Sequence, residues 1–397
     1  MNITLLPGPL AGTVEAPPSK SCAHRLLILC ALSGGGEVQC PPGGEDLAAT
    51  VRCLRALGCE ILEDATGWRV KSGPVPEGPP ARLDCGESGS TLRFLLPLCA
   101  CMSRKIAITG RSGLARRPLL PLLAALAENG AAAEGAALPL TLGGGLRPGT
   151  FALPGNVSSQ FFTGLLLALP LLPEDSRLLW TTPLESRPYV DWTRALQKQF
   201  GVESVETPEG FFIPGGQRYR APERLIVEGD WSAAACWLAA NRMGGRVRVT
   251  GLRGDSPQGD RAIEGLLDCL GGTSNLKNTP DLGPALAIAA AAAPGVTRLT
   301  GAGRLRLKES DRLAAMARLI RALGGRAEET PDGLAIFGGP LRGGAAPGAG
   351  DHRVVMSAAL AATVCREPVT ILGAEAVEKS YPHFFRDYQR LGGRILP

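Results

Sequence analysis

Residues Pro18 to Arg25 read Pro-Ser-Lys-Ser-x-x-x-Arg and run straight into the apolar stretch LLILCAL. If that stretch is helical, Lys20, Ser21 and Arg25 crowd its first turns, and Ser21 and Arg25, four apart, share one face. Two cations and a hydroxyl at a helix start, where unpaired N–H groups already favour negative charge, make an anion site. A capped surface helix with solvated basic residues would read the same way, so the motif gains weight only by recurrence. It does recur. GESGSTLRFLLPL sets Ser88, Gly89, Ser90 and Thr91 before a helix with Arg93 in its first turn, a backbone able to cradle phosphate or carboxylate. ARRPLL brings Arg116 and Arg117 before Pro118, a proline well placed to start a helix. NVSSQFF opens another helix with Ser158, Ser159 and Gln160, and Ser186 follows in PLESRPYVDW.

The second half adds carboxylates to the cations. Asp281 stands at a helix start in TPDLGPALAIAAAA, an N-cap in the bland reading. RLRLKESDRLAAMARLI gathers Lys308, Glu309, Asp311 and Arg312 where strand gives way to helix. Asp351, His352 and Arg353 open the helix of GDHRVVMSAALAA, and Lys379 precedes the last helix in AVEKSYPHFFRDY. One explanation covers all these sets: helix N-termini converge on one anion-filled cleft, with carboxylates present for proton transfer.

The elements that must position these residues show a period. A helical pattern, a glycine and a short strand-like run recur, with the glycines at Gly58, Gly130, Gly201, Gly271, Gly324 and Gly392. Their spacings are 72, 71, 70, 53 and 68 residues, which points to six copies of one α/β unit. Strand-like runs such as KIAITG, RVRVTGL and VTILGA alternate with the helices, which argues for α/β or α+β packing over a solenoid. Six units divide into two pseudo-symmetric halves, with the division near Glu228. At 397 residues the chain exceeds the usual single core, so two domains are expected.

Composition narrows the class. No stretch reaches the roughly 18 uninterrupted apolar residues of a membrane span, and the first residues lack the basic and apolar regions of a signal peptide. The 11 cysteines are scattered without a C-x-x-C pair and the histidines number 3, so reduced cytoplasmic thiols are expected rather than disulfides or zinc. The net charge of +5 is spread along the chain. That argues against a nucleic-acid arm and for small acidic ligands. No exposed apolar seam asks for a partner copy, so a monomer is expected.

Read in order, PPSKSCAHRLLIL, CGESGSTLRFL, GNVSSQFFTGLL, VEGD, TPDLGPALA, RLKESDRL, DHRVVM and EKSYPHFF resemble the signatures of the 5-enolpyruvylshikimate-3-phosphate (EPSP) synthase family, from about residue 17 to about residue 385. The resemblance implies a two-domain inside-out α/β barrel of six βαβαββ units, three per domain. Residues 1–18 and 228–397 would form one domain, on the acid–base and phosphoenolpyruvate side. Residues 19–227 would form the other, on the shikimate 3-phosphate side, with the active site between them. It implies transfer of the enolpyruvyl group of phosphoenolpyruvate to the 5-hydroxyl of shikimate 3-phosphate with release of phosphate, without metal or organic cofactor. Lys20, Ser21, Arg25, Ser158, Ser159, Gln160, Ser186, Asp281 and Lys308 are then the expected shikimate 3-phosphate residues. Lys20, Gly89, Arg117, Gln160, Arg312, Arg353 and Lys379 are the expected phosphoenolpyruvate residues. Asp281 is the candidate base, Glu309 the candidate acid, and Lys20 the third catalytic residue; glyphosate is the expected competitor of phosphoenolpyruvate.

Two positions depart from the family pattern: Glu87 and Arg304 stand where many members have asparagine. The sister enzyme acting on UDP-N-acetylglucosamine has Lys-Asn at Lys20-Ser21 and a reactive cysteine in the loop corresponding to GRSGLARRP, where this chain has none. A non-catalytic metabolite-binding protein on the same scaffold would be expected to lack Asp281 or Glu309, and both are present.

Overall fold

All six glycines that close the repeats lie at positive φ: Gly58 (102°), Gly130 (96°), Gly201 (76°), Gly271 (87°), Gly324 (83°) and Gly392 (90°). Residues with a Cβ are strained there, so glycine is what lets each helix end and the chain turn into the next strand. The computed structural model describes residues 1–41, 43–73 and 80–396. It divides into two compact units, Met1–Ser19 with Glu228–Pro397, and Lys20–Val227. The division at Ser19 lies one residue beyond the boundary read from the sequence. The reason is local: the Ser19 N–H donates to the Glu228 carbonyl and the Asp230 N–H to the Pro17 carbonyl, each at 2.8 Å, so residues 17–19 travel with 228–230.

The unit Lys20–Val227 carries α1 (Lys20–Leu32), α2 (Glu45–Ala56), α3 (Gly89–Ala100), the short α4 (Ser112–Ala115), α5 (Leu120–Glu128), α6 (Ser159–Ala168) and α7 (Arg187–Gln199). Its sheets share one plan. In the sheet of Ala81–Asp84, Ile106–Thr109, Leu140–Gly143 and Ala132–Glu134, the first pairing is parallel and the next two antiparallel. A parallel pair needs a crossover, supplied here by α3, while the antiparallel pair closes as a hairpin. Thr150–Pro154, Ser176–Thr182, Gly210–Ile213 and Val205–Thr207 repeat the plan with α6 and α7. The third sheet takes its first strand, Leu225–Ile226, from the end of the unit and pairs it in parallel with Gly35–Gln39.

The other unit carries α8 (Trp231–Arg242), α9 (Ile263–Asp268), α10 (Gly283–Ala292), α11 (Arg312–Ala322), α12 (His352–Ala362) and α13 (Phe384–Arg390). Thr273–Asn275, Val296–Thr300, Gly333–Phe337 and Arg326–Thr330 form one full sheet. A second is completed by the N-terminal strand Asn2–Leu6, which lies between Val369–Leu372 and Arg394–Leu396. The remaining sheet is abbreviated to Ala11–Glu15 paired in parallel with Arg246–Thr250. After α9 and Gly271 the chain passes directly to the next unit's first strand, Thr273–Asn275, without a hairpin, which accounts for the short 53-residue spacing.

Burial explains the inside-out character of each unit. α10 (GPALAIAAAA) is buried from Gly283 to Ala291, and α12 buries ten of its eleven residues. Helices apolar all round have no solvent face. The strands alternate instead, as in Thr150–Pro154, where Phe151 and Leu153 point inward and their neighbours outward. With helices inside, each helix N-terminus can present its unpaired N–H groups to a ligand, and the site is built there.

The repeat glycines differ in surroundings, which makes a test. An added Cβ at Gly201 meets nothing within 4 Å, whereas one at Gly130 would lie 2.8 Å from the Gly145 carbonyl oxygen. Gly201→Ala should destabilise by about 1–2 kcal/mol, the cost of a left-handed L-residue, and Gly130→Ala by distinctly more. Chemical denaturation of both variants checks this; equal losses would contradict it.

Candidate active site

In the unit Lys20–Val227, cations lie at the starts of α1 and α3 and just ahead of α5. Arg25 is 2% exposed, yet its guanidinium donates to hydroxyls and carbonyls only. Its Nε donates to Thr193 Oγ1 (2.9 Å), Nη1 to the Ser21 carbonyl (2.8 Å), and Nη2 to Thr163 Oγ1 (3.3 Å) and the Tyr189 carbonyl (3.0 Å). Its guanidinium lies over Phe94 at 5.0 Å and Trp192 at 5.5 Å. Burial pulls its pKa down to about 10, so it remains charged at neutral pH. These bonds tie α1 to the N-terminal halves of α6 and α7. Lys20, the first residue of α1, is held by Asp46 on α2 at 2.7 Å.

α3 and α6 meet at a second cluster. Gln160 Nε2 donates to Ser90 Oγ (2.9 Å), and Arg93 Nη1 donates to Gln160 Oε1 (2.8 Å). A Cβ on Gly89 would sit 2.8 Å from Arg93 Nη1, 2.9 Å from Arg117 Nη1 and 3.5 Å from Gln160 Oε1. Two guanidinium heads and an amide thus converge on a bare glycine at a helix N-terminus, an arrangement suited to a carboxylate or phosphate. Ser158 caps α6 without a side-chain cap bond, so that helix start is free to use its hydroxyls on a ligand. Ser159 is buried beside it. Ser186 precedes α7 at φ 52°, buried at 2% exposure, a conformation that few non-glycine residues hold without local constraint.

The other unit holds a different chemistry. Arg312 is 1% exposed and pairs with three carboxylates: Asp281 Oδ1 at 2.7 Å, Glu309 Oε2 at 2.6 Å and Asp351 Oδ2 at 2.7 Å. Lys308 Nζ lies 3.1 Å and Arg353 Nε 3.9 Å from the same Asp281 oxygen. Burial alone would raise the Asp281 pKa, but Lys308, Arg353 and Arg312 together hold it well below 3.8. Burial lowers the Lys308 pKa more than Asp281 restores it. The Arg312 pKa is pushed up because Asp351, Glu309 and Asp281 outweigh its own burial. Asp351, fully buried, also caps α12 by accepting the Arg353 N–H at 3.0 Å and accepts Ser310 Oγ at 3.0 Å. Arg353 Nη2 donates to Ser232 Oγ (2.6 Å), and Lys379 Nζ donates to the Gly350 carbonyl (3.0 Å) just ahead of α12.

The expected residues therefore fall into two groups. Lys20, Ser21, Arg25, Gly89, Arg117, Ser158, Ser159, Gln160 and Ser186 belong to one unit, and Asp281, Lys308, Glu309, Arg312, Arg353 and Lys379 to the other. Arg93, Asp46 and Asp351 join them as residues the motif reading did not place in the site. Arg93 and Asp351 are charges at the starts of apolar helices and so carry a sequence signal; Asp46 carries none.

The family profile described as EPSP synthase (3-phosphoshikimate 1-carboxyvinyltransferase) matches residues 6–274 and 269–388. The chain is 39% identical to the 3-phosphoshikimate 1-carboxyvinyltransferase of Clostridium acetobutylicum over 97% of this chain and 96% of that protein. It is 36% identical to the protein of the same name from Methanocorpusculum labreanum over 99% of each. The chain belongs to the EPSP synthase family. Among solved structures, EPSP synthase from Acinetobacter baumannii superposes with a TM-score of 0.82 at 26% identity over 100% of both chains. An enolpyruvyl transferase from Streptomyces tendae shares the fold with a TM-score of 0.80 at 18% identity.

The two departures from the EPSP synthase pattern have structural places. The Glu87 carboxylate packs against Gly113 in α4, with Oε2 2.5 Å from where a Cβ on that glycine would lie, so it abuts the segment leading to Arg117. Arg304 is buried in the turn Gly303–Leu307, and its charge adds to the burial that lowers the Lys308 pKa.

The charge balance at Asp281 sets a pH dependence. Its folded pKa lies below the unfolded value, so its ionised form stabilises the fold above pH 3.8, and that contribution is lost as pH falls through the depressed folded value. Asp281→Asn should therefore be less stable than the parent at neutral pH, with the gap narrowing below pH 3.8. Denaturant titrations across pH measure the gap; one that widens on acidification would contradict the assignment.

Proposed function

We propose that this chain transfers the enolpyruvyl group of phosphoenolpyruvate to the 5-hydroxyl of shikimate 3-phosphate and releases phosphate, with both groups of residues acting on one pair of ligands. The observation that carries the reading is Arg312, which holds Asp281 and Glu309 on adjacent nitrogens of one buried guanidinium. Membership of the EPSP synthase family supports the substrate pair. The further parts of the proposal are a monomeric, cytoplasmic enzyme and the residue roles that follow.

Arg25 and Ser21 bind shikimate 3-phosphate, and Ser158, Ser159, Gln160 and Ser186 surround its ring and phosphate. Lys308 helps to hold the same substrate, and Asp281 faces its 5-hydroxyl. Phosphoenolpyruvate meets Gly89, Arg117, Gln160, Arg312, Arg353 and Lys379, and Lys20 reaches both ligands. Two multiply charged anions are brought together only by many fixed cations, and guanidinium groups match carboxylate and phosphate in shape as well as charge.

Asp281 accepts the proton of the 5-hydroxyl as its oxygen attacks C2 of phosphoenolpyruvate, while Glu309 delivers a proton to C3. The tetrahedral adduct then loses phosphate from C2 and a proton from C3, which restores the double bond. An ion pair with Arg312 favours Glu309 as carboxylate, so its acid role requires an incoming anion to take over the Arg312 nitrogen it occupies. Substrate binding and acid protonation are thereby coupled.

Mixing shikimate 3-phosphate and phosphoenolpyruvate should release phosphate without added metal and in the presence of chelator, and UDP-N-acetylglucosamine should not replace the first substrate. A strict divalent-metal requirement, or turnover of the nucleotide sugar, would overturn the reading. Glu309→Ala and Asp281→Ala should each lower turnover by roughly 10² or more, the scale of general acid–base catalysis. Lys20→Met should impair binding and turnover together; near-native turnover in any of these would remove that residue's role.

Gly89→Ala places a methyl group against the Arg93 and Arg117 heads. Glyphosate, longer than phosphoenolpyruvate, should lose more affinity than the substrate. Equal weakening of the two in inhibition assays would refute the steric argument.

A further inference from the structure

The anion cradle at Gly89 hangs on the first turn of α3, and that turn is held from behind by a chain of four side chains. His24 Nδ1 lies 2.7 Å from Thr50 Oγ1, and Thr50 Oγ1 lies 2.6 Å from Thr91 Oγ1. Thr91 Oγ1 donates to Ser88 Oγ at 2.7 Å, and Ser88 Oγ caps α3 by accepting the Thr91 N–H at 3.2 Å. His24, Thr50, Thr91 and Ser88 are each 0% exposed, so no solvent competes for these bonds.

Each hydroxyl has one hydrogen, and this fixes the direction of the chain. If Thr91 donates to Ser88, Thr50 must donate to Thr91, and His24 must donate to Thr50 from Nδ1–H. The reverse order would put the hydrogen on His24 Nε2, which is buried without a partner among the described residues. A buried N–H without an acceptor is among the rarest states in proteins, so the Nδ1–H tautomer is the one compatible with the packing. Burial, followed by the charges of Lys20 and Arg25, lowers the His24 pKa well below 6.5, which keeps the ring neutral.

The chain is also a register lock. Lys20 and His24 are four apart on α1, and their partners Asp46 and Thr50 are four apart on α2, both rungs at 2.7 Å. Thr91 lies 3.4 Å from the Asp46 carbonyl as well, so α3 is set against the same stretch of α2. From the turn so fixed, Ser90 receives Gln160 and Gly89 faces Arg93 and Arg117.

We propose that His24, Thr50 and Thr91 are positioning residues for phosphoenolpyruvate: a one-way hydrogen-bond chain from His24 Nδ1–H to Ser88 sets the α3 turn that presents Gly89 and Ser90. The proposal rests on the reading of Gly89, Arg117 and Gln160 as phosphoenolpyruvate contacts. Thr50→Val removes the central hydroxyl at nearly constant volume. It should raise KM for phosphoenolpyruvate by roughly fivefold, the scale of one lost hydrogen bond, and leave KM for shikimate 3-phosphate within about twofold. Thr50→Ser should restore the parental ratio. Nitrogen-15 NMR of histidine-labelled protein, with the His24 signals identified by their loss in His24→Asn, should show a protonated Nδ1 and a bare Nε2 through neutral pH. A change in both KM values by the same factor with a lowered melting temperature would mean a structural role only, and a protonated Nε2 would break the chain's direction; either result overturns the proposal. A parent inactive with both substrates would instead sink the proposed reaction, while the NMR tautomer would still report on the chain.

Discussion

The carboxylates Asp281, Glu309 and Asp351 are held together by one guanidinium, Arg312, whose side chain is 1% exposed. Arg312 alone would be prohibitively costly to bury, and Asp281, Glu309 and Asp351 would not stay ionised side by side without it. Arg312 offsets the mutual repulsion of the three carboxylates, and Lys308 and Arg353 add positive charge at the Asp281 end. Asp351 is the inner anchor, fully buried and spent on fixing Arg312, Ser310 and the start of α12. That leaves Asp281 and Glu309, both partly accessible, as the members of the cluster able to exchange protons with a ligand. A buried ion cluster is weak evidence for stability, but it is an effective way to keep two carboxylates within reach of one cation.

The other unit solves the opposite problem. Arg25 is just as deeply buried, but its partners are hydroxyls, carbonyls and aromatic faces. Its charge is oriented without being neutralised, which is what an anion site requires before the anion arrives. Arg93 donates to Gln160 Oε1 and to the Pro118 carbonyl. The inside-out fold makes both arrangements possible. Helices buried on all sides hold their first turns rigidly, and their N-terminal N–H groups supply positive potential that no side chain has to carry.

Much of this was legible in the residues because the physics leaves few substitutes. A helix that must reverse through positive φ calls for glycine, so the repeat could be counted from Gly58 to Gly392 before any strand was placed. The short step from Gly271 to Gly324 was visible too, but its meaning, a missing hairpin, lies in strand pairing that periodicity does not encode. Charged residues at the starts of apolar helices were equally readable, which is why Lys20, Arg25, Glu309, Arg312 and Arg353 could be singled out. The supporting partners were not. Asp46 looks like any acidic residue in a first helical turn, and Thr50 and Thr91 look like ordinary helix residues. Their importance comes from neighbours 26 and 41 positions away. The left-handed backbone of Ser186 has no sequence signal either.

In the proposed reaction Glu309, paired with Arg312 in this structure, becomes the proton donor to C3 of phosphoenolpyruvate. Deuterium uptake tests it directly: with shikimate 3-phosphate present in heavy water, reversible protonation of C3 followed by loss of one of three equivalent hydrogens labels the recovered phosphoenolpyruvate, as mass spectrometry would detect. Labelling is expected with the parent protein and its loss in Glu309→Gln, with both substrates still bound. Labelling by Glu309→Gln at the parental rate would contradict it.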